Sequence, residues 1–302
     1  GSEMCIRDSC MGYGSYSASD WSRLKSSRNL SDTQSVDEIF QRRACNPKFD
    51  PKFIGTRECF DSEEHPNTTP IVVGLDVTAS MGYLAVEVAT KALNQLIMKL
   101  YSTAAVEDPA LMCAAYGDFG DFSPLQVTQF ESDIRIAEQL LELYFENHGC
   151  GEVVPTCLWE FLSKHTNIDA INKRSKKGFL FTIGDNANIR KDQIEETIKR
   201  VIGDDVPGAT RESLLEEVQK KFHVFHIMIG GDGNKDILIG KKMVISENEI
   251  ENIPEIIISA IQLQLGKSLK DVLAQWDPLS VPVISAAIRQ LSIADSGQSI
   301  TL

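Results

Sequence analysis

Ile71-Val72-Val73-Gly74-Leu75-Asp76-Val77-Thr78-Ala79-Ser80-Met81-Gly82 is an apolar run that ends in a carboxylate, two hydroxyls at alternate positions and a glycine. The run has the length of a strand buried on both faces, as in a parallel sheet. From Tyr83 to Leu100 the apolar residues recur at helical spacing. Asp76, Thr78 and Ser80 therefore fall on a strand-to-helix turn at the carboxyl edge of a sheet, where open α/β folds bind ligands. Three oxygen-bearing side chains at alternate positions of a tight loop can face one centre. With no His or Cys among them, they suit a hard divalent cation such as Mg²⁺ or Mn²⁺. The competing reading is structural: Thr and Ser before a helix commonly cap its free N–H groups.

Strand and helix patterns alternate outward from this turn. Ala110–Tyr116 is a second short apolar run, ending at Gly117-Asp118-Phe119-Gly120-Asp121. Leu125–Phe130 alternates like a half-buried edge strand, which predicts a hairpin around residues 110–130. A helix is expected over Asp133–Phe145, then the glycine-bearing loop Asn147–Thr156, then a helix over Cys157–His165. Lys177–Asp185 is a third strand that ends in a carboxylate, followed by helices at Ile189–Ile202 and Ser213–Phe222. His223–Ile229 and Met243–Ile245 are the remaining strands, and helices at Ile253–Leu265 and Leu269–Trp276 would cover the sheet. The fold class predicted is α/β: a doubly wound, mostly parallel sheet with helices on both faces and one antiparallel edge strand.

The domain itself is placed at residues 70–277, with a final helix at Val281–Ile293 and a tail in 278–302. Residues 1–10 fit no element and precede a plausible initiator at Met11, so they read as a translation artefact or cloning scar. Residues 11–69 form an N-terminal extension. Gly12–Asn29, rich in Gly, Ser, Tyr and Arg, reads as a flexible arm. A short helix with Val36, Ile39 and Phe40 facing inward is stopped by Pro47 and Pro51. The polar stretch Arg57–Pro70, with Asp61, Glu63, Glu64 and His65, reads as a solvated loop.

Composition narrows the function classes. The chain has 302 residues and a formal net charge of −13, which argues against non-specific binding to nucleic acid or anionic membranes and favours a cation site. No apolar run has the roughly 20 residues that span a bilayer. The cysteines downstream of residue 10 are Cys45, Cys59, Cys113, Cys150 and Cys157, with no repeated spacing and no CxxC pair. With no secretory pattern, they read as reduced thiols in a cytoplasmic protein. His223 and His226 lie on opposite faces of a strand and make a poor metal pair. Gly230–Gly233 lacks the Lys-Ser/Thr of a phosphate loop and reads as a turn.

Asp76-Val77-Thr78-Ala79-Ser80 resembles the Asp-x-Ser/Thr-x-Ser signature of von Willebrand factor A domains, which carry a metal-ion-dependent adhesion site after the first core strand. In that family a later glycine-rich loop completes the site, usually through a threonine. Some intracellular members have a form similar to Gly-Gly-Gly-Asp-x-Pro-Glu there, and Gly149-Cys150-Gly151-Glu152-Val153-Val154-Pro155-Thr156 is nearer to that form. Glu152 would bind metal directly; Thr156 would bind through a water or cap its helix. Carboxylate is the stronger hard-cation ligand. Thr182-Ile183-Gly184-Asp185 is similar to the family's strand-end Thr-Asp-Gly, with the glycine before the acid. The resemblance covers about two thirds of the chain and is nearest to bacterial intracellular members.

The resemblance implies metal ligands at Asp76, Thr78, Ser80, Glu152 or Thr156, and Asp185, holding Mg²⁺, or Mn²⁺ or Ca²⁺. It implies an intracellular, non-catalytic adaptor or regulatory subunit that captures an acidic residue of a protein partner through the open metal position. Family members often work with AAA+ ATPases of the MoxR type. Two other classes compete. A Mg²⁺-dependent phosphatase-like hydrolase would carry a second aspartate two residues after Asp76, where this chain has Thr78. A metal-free scaffold would have no use for the three-residue motif.

Overall fold

The computed structural model describes residues 16–31, 34, 36–40, 42–146, 154–185, 192–230 and 239–295. Its strands are β1 (Arg57–Cys59), β2 (Thr69–Asp76), β3 (Pro109–Tyr116), β4 (Leu125–Val127), β5 (Thr166–Ile168), β6 (Gly178–Gly184), β7 (Phe222–Ile229) and β8 (Lys241–Ile245). Six of them form one sheet in the order β4-β3-β2-β6-β7-β8. All neighbours in it are parallel except β3 and β4. This is the doubly wound α/β class expected, with its antiparallel strand at the edge.

The helices are α1 (Ala18–Ser27), α2 (Val36–Ile39), α3 (Gly82–Glu87), α4 (Leu93–Thr103), α5 (Arg135–Leu140), α6 (Pro155–Lys164), α7 (Asp169–Arg174), α8 (Ile194–Val201), α9 (Arg211–Lys221), α10 (Ile253–Gln264), α11 (Leu269–Leu273) and α12 (Val281–Asp295). Strand periodicity sorts them into two layers. Ile71, Val73 and Leu75 face a core made with α3, α4, α10 and α12, while Val72 faces a second core under α6, α8 and α9. Each fully buried aromatic or aliphatic side chain in these cores stabilises the fold by about 1.5–3 kcal/mol. Alternation puts Asp76 on the α6 face with Val72 and Gly74.

Several local expectations are corrected. The helix after the motif is not uniform: α3 and α4 are joined by a π-helical turn at Val88–Ala92. Its inward residues Val88, Ala89 and Ala92 stay buried. Leu125–Glu131 is wholly buried rather than half-buried, because the N-terminal extension covers the sheet edge. Val127 N–H donates to Phe49 O at 2.9 Å and Arg57 donates to Val127 O at 2.9 Å, so the edge is paired off.

The stretch read as a flexible arm contains α1, started by a capping box between Ser17 and Asp20. The hydroxyl of buried Tyr16 bonds Asn94 on α4 and ties the segment down. Arg57–Pro70 is not a solvated loop. β1 pairs with β5, Asp61 is ion-paired with Arg174, and His65 is buried beside Asp108. The helices expected at Asp133–Phe145 and Ile189–Ile202 are shorter, and residues 189–191 lie outside the described residues. Among the described residues the cysteines are free thiols, and no helix is long and apolar enough to cross a membrane.

Candidate metal centre

Asp76 is the last residue of β2, and the ladder continues one step beyond it, with Val77 N–H donating to Tyr116 O at 3.0 Å. The chain then bends. Thr78 N–H donates to Asp76 Oδ1 at 2.9 Å and Thr78 Oγ1 donates to the same oxygen at 2.6 Å. An aspartate that accepts from the backbone two residues on is a standard turn former. Met81 N–H donates to Thr78 O at 3.1 Å, and the fully buried Met81 side chain anchors the turn in the core.

The capping alternative does not describe this turn. α3 begins after Met81, with no side-chain hydrogen bond to its first N–H groups. The hydroxyls of Thr78 and Ser80 are turned elsewhere. They lie 3.2 Å from one another, and Ser80 Oγ donates to Asp185 Oδ1 at 3.0 Å. Asp76, Thr78, Ser80 and Asp185 thus make one hydrogen-bonded chain of oxygens across the ends of β2 and β6.

Close approach of those strands requires Gly184. A Cβ there would sit 2.8 Å from Asp76 Cβ, 2.9 Å from Asp76 Oδ2 and 3.2 Å from the Tyr116 hydroxyl. The glycine that precedes the acid, rather than following it, is therefore what lets Asp185 stand beside Asp76.

The two carboxyls at this edge, Asp76 and Asp185, are both pushed upward by burial. Asp76 is 0% exposed, and its Oδ2 has no hydrogen-bond partner. Burial pushes its carboxyl up to about 7; the two Thr78 bonds oppose the shift, and the charges of Asp185 and Asp121 add to it. Asp185 is raised as well, by burial first, with Ser80 opposing and Glu247 adding. A fully buried carboxylate with one idle oxygen is costly unless something cationic or a proton meets it. The donor set, all oxygen, fits Mg²⁺ or Mn²⁺.

The structure brings together four of the six residues singled out from sequence. Thr156 sits buried on the first turn of α6, whose N-cap is Val154 with no side-chain cap bond, so Thr156 does not act as the cap. Glu152 lies outside the described residues. Among the described residues no three of His, Cys, Asp and Glu stand close enough to hold a metal by themselves. Two residues at this end of the sheet were not singled out from sequence: Tyr116, the register partner of Asp76, and Asp121, buried in the turn after β3. The available signal was the acid pair Asp118 and Asp121 directly after an apolar strand.

His223 and His226 behave as expected of opposite faces. His226 is buried, its Nδ1 2.8 Å from Thr182 Oγ1, and burial lowers it to about 3, with Lys242 adding.

No protein-family model and no curated protein matches the chain. Among solved structures it is similar to a von Willebrand factor type A protein from Catenulispora acidiphila, at 13% identity and TM-score 0.37 over 65% of this chain and 43% of that one. It is also similar to the pilus adhesin SpaC from Lactobacillus rhamnosus GG, at 13% identity and TM-score 0.38 over 75% and 31%. A third is the three N-terminal domains of the type V pili tip protein Mfa5 from Porphyromonas gingivalis, at 12% and 0.28 over 41% and 24%. The chain spans less than half the length of each.

Proposed function

We propose that the chain is a divalent-cation-dependent protein-binding module of adhesion type. The observation that carries this is the fully buried Asp76 with an unpartnered Oδ2, joined through Thr78 and Ser80 to Asp185. Asp76, Thr78, Ser80 and Asp185 would hold Mg²⁺, with Glu152 or Thr156 completing the set. The cation, when bound, supplies a coordination position that a carboxylate of a protein partner can take in exchange for water. The chain's own part is to fix the oxygens. Oδ1 of Asp76 is committed to Thr78, which leaves Oδ2 oriented for the cation. The reading is non-catalytic, since Thr78 stands where a phosphatase-like hydrolase would carry its second acid, and its hydroxyl is spent on Asp76. An intracellular adaptor role goes with it.

The test is calorimetric titration of metal-stripped protein with Mg²⁺ and Mn²⁺, alongside Asp76→Ala. The expected result is saturable binding that the variant loses. Binding retained by Asp76→Ala, or no binding by the unaltered chain, overturns the reading.

A further inference from the structure

The turn after β3 is held more firmly than a surface loop requires. Asp118 N–H donates to Asp121 Oδ2 at 2.8 Å, Asp121 N–H to Asp118 O at 3.1 Å, and Gly120 N–H to Asp118 Oδ1 at 2.7 Å. From one side Arg200 on α8 donates to Asp121 O at 3.2 Å and to Phe119 O, with its guanidinium 4.9 Å from the Phe119 ring centre. From the other, Glu146 accepts from Phe122 N–H at 2.9 Å and Ser123 N–H at 3.1 Å. The base is closed by Gly117 N–H donating to Pro124 O at 3.0 Å and Val154 N–H donating to Gly117 O at 3.2 Å.

All this bracing turns one carboxylate inward. Asp121 is 4% exposed, and its carboxylate fills the space that a Cβ on Gly117 would take. Gly117 follows Tyr116, the register partner of Asp76, so the Asp121 carboxylate stands at the same sheet edge as the unpartnered Asp76 Oδ2. Yet Asp76, Asp185 and Asp121 do not close on one point as three direct ligands would. A buried carboxylate one step back from a hard-cation site has a defined chemical use. Mg²⁺ sheds water reluctantly and keeps several waters, which need acceptors of their own.

We infer that Asp121 is an outer-sphere residue of the metal centre, accepting hydrogen bonds from waters on the cation and so favouring a strongly hydrated ion. This rests on the metal-binding reading above. It assigns to the β3–β4 turn a part in selecting the cation rather than in holding it.

The experiment compares Mg²⁺ and Ca²⁺ titrations of the metal-stripped full chain and of Asp121→Asn, which keeps an acceptor for Asp118 N–H. Circular dichroism and a thermal melt check the fold. The expected result is a Kd for Mg²⁺ weakened about 10- to 100-fold, with a loss for Ca²⁺ several-fold smaller because Ca²⁺ takes more protein oxygens directly. Loosening of the turn, or loss of one charge at a distance, weakens both ions alike; an equal loss, or none, overturns the inference. Loss as complete as in Asp76→Ala overturns it too, by making Asp121 a direct ligand. If Asp121→Asn does not fold, Asp121→Ser, whose hydroxyl can also accept from Asp118 N–H, gives the same comparison. A native chain that binds no Mg²⁺ fails the proposed function itself, and the inference falls with it; a native chain that binds, with Asp121→Asn unchanged, fails the inference alone.

Discussion

Ser80 Oγ donates to Asp185 Oδ1 at 3.0 Å across a separation of 105 residues. This bond joins the turn after β2 to the end of β6, the two strand ends that the candidate metal centre needs side by side. Ser80 is itself exposed, so the bond contributes little to folding and much to placing Asp185. Ser80→Ala should therefore leave the urea midpoint nearly unchanged. Its Mg²⁺ affinity, read by calorimetry, should fall about tenfold or more, equivalent to about 1.4 kcal/mol.

Gly184 marks the contact that cannot be widened. A methyl group there meets the Cβ of Asp76 at 2.8 Å and its Oδ2 at 2.9 Å, both on a fully buried residue. Gly184→Ala should destabilise the domain by about 1–3 kcal/mol in urea denaturation. It should also lower Mg²⁺ affinity more than Ser80→Ala does, because it displaces Asp76 itself.

Two buried groups give opposing pH dependences in metal-stripped protein. Asp76 is raised from its ordinary 3.8 to about 7, so the folded state keeps a proton the unfolded state loses. Its contribution is full below pH 3.8 and is lost as pH rises through about 7. His226 is lowered from 6.5 to about 3, so its contribution is present above pH 6.5 and lost as pH falls toward 3. Between about pH 4 and 6.5 the two proton counts cancel. Asp76→Asn should expose a stability that rises with pH in that window, by about 1.4 kcal/mol per unit relative to the unaltered chain. His226→Gln should expose the opposite slope. Urea denaturation with chelator across the window checks both, and saturating Mg²⁺ should abolish the Asp76 part.

Arg174 secures the segment read from sequence as solvated. It ion-pairs with Asp61, each side chain less than one-fifth exposed, and donates to Thr68 O at 2.7 Å. Removing one partner of a mostly buried pair leaves the other uncompensated. Arg174→Met should cost about 3 kcal/mol in urea. The double variant with Asp61→Asn should cost clearly less than the two single losses added together, as a double-mutant cycle would show.

The sequence by itself determined the alternation of strand and helix, the class of sheet and the position of Asp76, Thr78 and Ser80 at a strand end. Those readings depend on apolar period and length, which each segment carries locally. Asp185 became a candidate through the resemblance of Thr182-Ile183-Gly184-Asp185 to the strand-end Thr-Asp-Gly of von Willebrand factor A domains. Only the tertiary structure decided that Thr78 and Ser80 turn to carboxylates rather than to the helix N-terminus, since an N-cap and a site hydroxyl have the same local sequence. The burial of Arg57–Pro70 and of β4 was likewise decided by distant segments that cover them. So was the place of Asp121, whose carboxylate is buried through the hydrogen bonds that fold its turn inward. Hydrogen bonds between residues far apart in the chain leave no period behind, and for that reason Asp76, Thr78, Ser80 and Asp185 could be named from sequence but not joined.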